Sequence, residues 1–409
     1  MNTQYDVLIV GAGHAGAQAA ISLRQSNFVG SIGLVGDEPS PPYDRPPLSK
    51  EYLAGTKPFE RMLIRSDSFW KERNIDLLLG RRIVSIDADA HIVTADDGRV
   101  LGFGKLLWAT GGQARTLSCP GSELGGIHTI RKRSDTDGLI AELPGTEHVV
   151  VVGGGYIGLE AAASLRKMGK EVTIVETLDR VLARVTSPML SGFYQQVHAE
   201  HGVHFQLASG IQALEGKGGR VRSVRLSDNT LLPADLVIAG IGIEPAVAPL
   251  RAAGAAGKNG VDVDVRCRTS LPDIFALGDC AAHENQFADG QRIRLESVQN
   301  ATDQAITVAK EIMGQGQDYF SVPWFWSNQY DLRLQTVGLS IGYDECLVRG
   351  DMAQRKFSII YLRQGRVIAL DCVNAPADFA QGRVLLLARA KPDREILTNA
   401  ALPLKACLG

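Results

Sequence analysis

Apolar and polar positions fall into one arrangement that occurs twice along the chain. Residues 5–10 form a β-branched run, glycines follow at 11, 13 and 16, and apolar periodicity resumes over 15–25. This predicts strand, turn and helix. A second strand is predicted at 31–35, "SIGLV", ending at Gly36-Asp37-Glu38. The order then recurs: "HVVVVGGGYIGLE" at 148–160 predicts a strand at 148–152, a glycine turn and a helix over 156–168. "EVTIV" at 171–175 supplies the next strand, ending at Glu176. Two such blocks predict an α/β protein with two doubly wound dinucleotide-binding domains.

Shorter strands are predicted around 81–86, 91–94 and 105–109, the last leading into "ATGG". "LVIAGIGIEP" at 236–245 gives a strand and turn for the second block, and "DIFALGDCA" at 273–281 a strand ending at a carboxylate. From about 322 the pattern changes. "PWFWSNQY" is rich in aromatics, strands are predicted at 333–339, 356–362 and 366–373, and an apolar helix near 376–389. The expected division is one domain from 1–113 with 246–321, a second from 114–245, and a C-terminal α+β domain over 322–409.

A chain of 409 residues has room for two or three cores. Its net charge of −2 offers no general attraction to nucleic acid or membrane, so a charged partner must meet a local patch. The six cysteines are scattered, without metal-ligand spacing, which points to a reducing, cytoplasmic setting and no metal site. The first strand begins after four residues, leaving no room for a signal sequence. No apolar run approaches the ~18 residues of a membrane span.

Gly11-x-Gly13-x-x-Gly16 and Gly153-x-Gly155-x-x-Gly158 each follow a predicted strand and open a predicted helix. In this motif the first glycine makes the turn, the second admits a pyrophosphate to the backbone, and the third lets helix pack on strand. Asp37 and Glu176 end the following strands, where a carboxylate accepts ribose hydroxyls and repels a 2′-phosphate. The second site is therefore expected to prefer NADH. Two dinucleotide loops are most economically used by a resident FAD and a visiting NADH, between which hydride passes readily. Asp279 of "LGDCA" could hold the ribityl hydroxyls of a flavin, or could cap a helix. The prolines of "PPYDRPPLSKEYLAG" at 41–55 predict a rigid loop before a short helix, with Lys50 in its first turn.

The ordered set "RPPLSK", "ATGG", "GGGYIGLE", "ALGDCA", "ESVQNA" and "PWFWSNQY" resembles the FAD- and NADH-dependent ferredoxin reductases of bacterial oxygenase systems, of the putidaredoxin reductase and biphenyl dioxygenase reductase type. The resemblance spans roughly residues 4–405. It implies a glutathione-reductase-like flavoprotein, and FAD contacts at Ala15, Asp37, Lys50, Ile83, Arg131, Asp279 and Val298, besides Gly11, Gly13 and Gly16. It implies an aromatic floor from Trp324 and Trp326, the latter with the FAD set. Ile157 and Gly242 join Gly153, Gly155, Gly158 and Glu176 as NAD contacts. Lys50 and Glu160 are implied to pair beside the flavin as the catalytic couple; an unpaired buried charge would be costly. Asn328 stands where such proteins often carry an aspartate.

The expected activity is thus a ferredoxin–NAD⁺ reductase that passes electrons singly through FAD to an acidic [2Fe–2S] ferredoxin. The ferredoxin would serve a P450 monooxygenase or a ring-hydroxylating dioxygenase; a rubredoxin reductase is the alternative. Disulfide reductases share both fingerprints but need a cysteine near the flavin, and residues 39–55 contain none. A non-enzymatic flavoprotein is a third class, disfavoured by the intact second fingerprint. For an acidic partner three basic clusters are available: Arg65 with Lys71 and Arg73, Arg131-Lys132-Arg133, and Arg292 with Arg294. The last directly precedes "LESVQNA" and is the expected docking patch.

Overall fold

A parallel strand covered on both faces needs a continuous apolar run. Both glycine turns follow one: Val7–Val10 and Val149–Val152 are buried. In the computed structural model, which describes residues 3–408, these runs lie inside two separate parallel sheets. The chain forms two units. The first takes the chain up to Arg45, then Phe59–Gln113 and Glu244–Pro323; the second takes Pro46–Pro58, Ala114–Ile243 and the chain from Trp324 onward.

In the first unit the strand order is Ile75–Leu78, Ile32–Val35, Gln4–Val10, Val100–Trp108, Ile92–Ala95, Ile83–Asp87, with Ile274–Ala276 beside the latter half of Val100–Trp108. Val10 stands opposite both Val35 and Trp108, so three strands end together at the first glycine turn. The helix His14–Gln25 lies on this sheet and packs closely against the helix Val298–Ile312, with Ala15, Ala19, Ala20, Ala301 and Ala305 in the shared core. Their small side chains permit the approach.

In the second unit a parallel sheet runs Val203–Gln206, Glu171–Val175, His148–Val152, Leu236–Ala239, Ile127–His128. The helix Tyr156–Lys167 packs on Glu171–Val175. The C-terminal part is an antiparallel sheet of Trp324–Gln329, Leu332–Gly338, Arg366–Val373, Lys356–Arg363 and Glu345–Asp351, crossed by the helix Pro376–Leu387. That helix sits down on the sheet at Gly382, where a Cβ would crowd Leu370 at 2.9 Å. The molecule is thus an α/β protein with two doubly wound parts and a C-terminal α+β part. No helix among the described residues is long and apolar enough to cross a membrane.

Three features depart from the sequence pattern. The strand expected at 105–109 is Val100–Trp108, because Gly102 and Gly104 mask its first half. A Cβ at Gly104 would come within 2.8 Å of the Asp6 carbonyl, so the neighbouring strand demands glycine there. A meander of Ile211–Lys217, Arg220–Leu226 and Leu231–Pro233 was not expected, although Val221, Val224 and Leu226 are buried along it. Lastly, the prolines lead into a single 3-10 turn, Pro46–Ser49, rather than an α-helix; Lys50 follows it, its N–H bonded to the Pro47 carbonyl.

Two fully enclosed histidines make stability depend on acid. His198 and His283 are buried, and desolvation lowers both from 6.5 to about 4. His283 is flanked by the side-chain amides of Asn285 and Gln304, and Arg292 adds repulsion. Below 6.5 the unfolded chain takes up protons that the native state refuses, so stability is full above that pH and falls as pH drops toward 4. Each histidine should cost ~3 kcal/mol across that window. A thermal melting series from pH 7 to 4.5 should show the decline, and His283→Gln should flatten it.

Candidate active site

The two glycine loops divide their labour identically. Gly11 (φ 113°) and Gly153 (φ 106°) occupy the left-handed region, and a Cβ on either would fall on a carbonyl of the adjoining strand end, Ala109 or Gly240. Gly16 and Gly158 let helix meet loop, since a Cβ there would fall on the carbonyls of Gly11 and Gly153. The middle glycines differ. Gly155 has ordinary extended geometry (φ −78°, ψ 179°), and a Cβ placed on it would meet nothing within 4 Å. A Cβ on Gly13 would meet only Arg45 Nε, at 3.8 Å. Both are helix N-caps that offer no side chain to the first-turn N–H groups. The residues therefore fit a dinucleotide pyrophosphate: an open approach, free donors and a helix dipole behind them.

The strand-end acids differ between the loops in a reciprocal way. By register, Gly36 of the first unit corresponds to Glu176 of the second, and Ala12 to Gly154. Gly36 is needed because a Cβ would lie 2.7 Å from that of Ala12. In the second loop Gly154 leaves room for a carboxylate, and its N–H donates to Glu176 Oε2 at 2.7 Å while Leu178 N–H donates to Oε1 at 2.9 Å. The acid of the first loop is thus displaced outward to Asp37, which is exposed, and Glu38, which accepts from Tyr43 (2.6 Å) and Arg45 (2.8 Å). N–H groups of Gly80 and Arg81 bond the carbonyls of Glu38 and Gly36, bringing the buried Ile83 to this end of the sheet.

Elsewhere in the first unit Ala15, Asp279 and Val298 converge. A Cβ on Gly278 (φ 77°) would touch Ala15 at 3.1 Å and Ala301 at 3.6 Å. The Gly278 N–H is held by Gln304 at 2.7 Å. Asp279 lies in the 3-10 turn Gly278–Cys280, whose N-cap is Leu277, so it caps no α-helix. Val298 opens its helix behind the N-cap Ser297, whose hydroxyl accepts from Asn300 N–H.

In the second unit Lys50 and Glu160 meet. Lys50 Nζ lies 2.7 Å from Glu160 Oε2, which also accepts the Ser49 hydroxyl at 2.6 Å. Glu160 Oε1 accepts the Ser327 hydroxyl at 2.7 Å, and the residue is 4 % exposed. Segment Pro46–Pro58 is fastened here twice more: Ser164 Oγ donates to the Ser49 carbonyl, and Tyr52 OH to Asp137. Arg131 precedes the helix Arg133–Glu142, its N–H donating to Asp135. Gly242 (φ 93°) has open space around it, and Ile157 is exposed beside the loop.

Strand alternation separates two groups that the sequence placed in one motif. Phe325 packs on Tyr156 with ring centroids 4.5 Å apart, and Ser327 reaches Glu160, so odd positions face the helix Tyr156–Lys167. Trp324 and Trp326, 5.4 Å apart, point to the opposite face, where Trp324 meets Phe379. Trp326 and Glu160 thus lie on opposite sides of one strand. Sequence reasoning missed Ser49 and Ser327, although both sit inside quoted motifs and each is one residue from a named one.

The expected docking arginines are otherwise engaged. Arg292 and Arg294 do share a face, but Arg292 pairs with Asp262 (3.0 Å) and Glu284 (3.2 Å). Arg294 pairs with Glu296 (2.8 Å) and donates to the Asp279 carbonyl (2.7 Å), its side chain only 9 % exposed. Their charge is compensated at home, which removes them as a steering patch. Arg65 and Arg73 stack over Phe69 beside the helix Asp67–Glu72, which feeds the N-terminal end of its strand, opposite the glycine turn.

Comparison with known proteins follows the same lines. Residues 5–305 match the family described as pyridine nucleotide-disulphide oxidoreductase, and residues 324–408 match the reductase C-terminal family. The ferredoxin reductase subunit of a 5,5′-dehydrodivanillate O-demethylase from Sphingobium is 56 % identical over 98 % of both chains. A ferredoxin–NAD(P)⁺ reductase from Sphingomonas is 55 % identical over 99 % of this chain and 98 % of its own. Among solved structures, the putidaredoxin reductase of a covalent putidaredoxin reductase–putidaredoxin complex superposes with a TM-score of 0.95 at 39 % identity, over 100 % of this chain and 98 % of the other. The chain belongs to the pyridine nucleotide-disulphide oxidoreductase family and, within it, to the ferredoxin reductases, enzymes that use FAD and a nicotinamide dinucleotide.

Proposed function

We propose that this reductase takes electrons from NADH and passes them through FAD, one at a time, to a [2Fe–2S] ferredoxin serving a monooxygenase or ring-hydroxylating dioxygenase. The observation that carries this reading is the buried Lys50–Glu160 pair, 2.7 Å apart, with Glu160 on the helix of the second glycine loop. When bound, FAD supplies the change from hydride to single-electron chemistry. The chain's own groups bind, orient and balance charge: Glu160 holds the Lys50 ammonium in one place, and Ser49 and Ser327 keep the carboxylate from turning. Residues 1–113 with 246–321 would hold FAD through Gly11, Gly13, Ala15, Gly16, Asp37, Ile83, Asp279 and Val298. Residues 114–245 would take NADH through Gly153, Gly155, Ile157, Gly158, Glu176 and Gly242, with 322–409 as the third domain. A reducing, cytoplasmic setting suits the six free cysteines.

NADH is favoured over NADPH because Glu176 presents fixed negative charge beside the loop. Arg180, four residues on, is committed to the carbonyls of Thr186 and Ala183 and to Ser191 Oγ (2.6 Å), so it does not offset that charge. The enzyme's partner is an acceptor without a dithiol step, since no cysteine stands in residues 39–55.

Rapid mixing tests the reading directly: NADH-reduced enzyme should reoxidise faster with a [2Fe–2S] ferredoxin than with rubredoxin, and equal, oxygen-limited rates with both would overturn it. Gly155→Ala should raise the KM for NADH roughly tenfold, about 1.4 kcal/mol, at unchanged melting temperature, whereas Gly158→Ala should lower the melting temperature. Lys50→Met or Glu160→Gln alone should each cost ~3 kcal/mol by stranding a buried partner, and should slow flavin reduction. The double variant should lose less than the sum, as read in denaturant titrations and stopped-flow traces.

A further inference from the structure

Behind Glu160 the structure holds a hydrogen-bonded chain that the proposed reaction does not use. Ser327 is fully buried, and its single proton goes to Glu160 Oε1 at 2.7 Å. It must therefore accept from Gln329 Nε2 at 3.0 Å, which fixes the amide with its oxygen pointing onward. That oxygen lies 2.7 Å from His198 Nε2, so the proton of the neutral ring sits on Nε2. Nδ1 is left to accept from Tyr330 OH at 3.4 Å, and Tyr330 is stacked by His201 at 3.7 Å.

Every donor in this series points toward the carboxylate, and a carboxylate, which only accepts, is what sets that direction. Aligned bonds in a low-dielectric interior polarise one another, so the remote members strengthen the last one. The series spans a helix residue (Glu160), two strand residues (Ser327, Gln329) and a residue of Pro188–Glu200 (His198), all in the second unit. Packing alone calls for apolar side chains at the inward positions 327 and 329. Burial keeps His198 neutral, with His201 adding repulsion and the Gln329 carbonyl opposing it. The amide at Gln329 cannot pass a proton along as a hydroxyl or imidazole does, so the chain holds charge in place rather than conducting it.

We propose that Ser327, Gln329 and His198 are positioning residues that fix the place and polarity of Glu160, and through it of the Lys50 ammonium. The proposal rests on the reading that Lys50 and Glu160 work beside the flavin, but its first test does not. In ¹⁵N-histidine NMR of the holoenzyme, His198 should be the Nε2–H tautomer. Glu160→Gln should shift its ring signals, and should cease to do so in a Ser327→Ala background. An Nδ1–H ring, or signals indifferent to Glu160→Gln, would overturn the relay. Ser327→Ala and Gln329→Leu should each shift the flavin midpoint potential and slow NADH reduction roughly three- to tenfold, the range of one lost ordinary hydrogen bond. Ser327→Thr, which keeps the hydroxyl, should restore both. If Lys50→Met moves the potential while Ser327→Ala does not, the positioning role fails alone; if neither moves it, the reading of the ion pair fails with it.

Discussion

A carboxylate buried on a helix has to be met by donors, and in this protein that requirement organises much of the second unit. Glu160 is one turn inside the helix that opens at the second glycine loop. The side chains that donate to it come from sequence positions far away: Ser49 and Lys50 from the proline-rich segment, Ser327 from the C-terminal sheet. Removing a buried charge from water costs several kcal/mol unless geometry and hydrogen bonds compensate. The segment, the helix and the sheet edge are therefore specified together. Asp371, in the same unit, shows the same logic: it is buried, its carboxyl is pushed up by desolvation, and the hydroxyls of Thr186, Tyr361 and Thr336 converge on it.

Local chemistry was the legible part. Each glycine fingerprint announces itself through a conformation or a close approach that only glycine allows, so the loops and their helices can be read from a dozen consecutive residues. The apolar runs of 356–363 and 366–373 likewise mark strands without reference to anything else. Partners across long separations were not legible. The alternation that put Arg292 and Arg294 on one face was readable, but Asp262 and Glu284, which quench one of them, come from other strands. Ser327 and Gln329 look like surface residues in "PWFWSNQY" until the helix bearing Glu160 covers that face. The meander at 211–233 was hidden by its short, charged strands, whose apolar members show only as every second or third residue.

The two loops also show how one backbone device is specialised by two side chains. Ala12 over Gly36 closes the space at the first strand end and sends its acids outward; Gly154 opens that space at the second and admits Glu176 against the loop itself. A methyl exchanged for a carboxylate across one van der Waals contact is enough to give the two sites different electrostatic walls.

The grouping of Pro46–Pro58 with the second unit has a consequence for how the chain is made. Ser49 leaves the ribosome 111 residues before Glu160 and much longer before Ser327, while the first unit lacks Glu244–Pro323 until most of the polypeptide exists. Neither unit can be completed in order of synthesis. The newborn N-terminal portion must wait, with an alanine-rich helix and an apolar sheet still uncovered, for segments translated many seconds later. Slow, late closure of that kind makes the nascent chain a natural client for chaperones, and it makes truncated products poor candidates for independent folding.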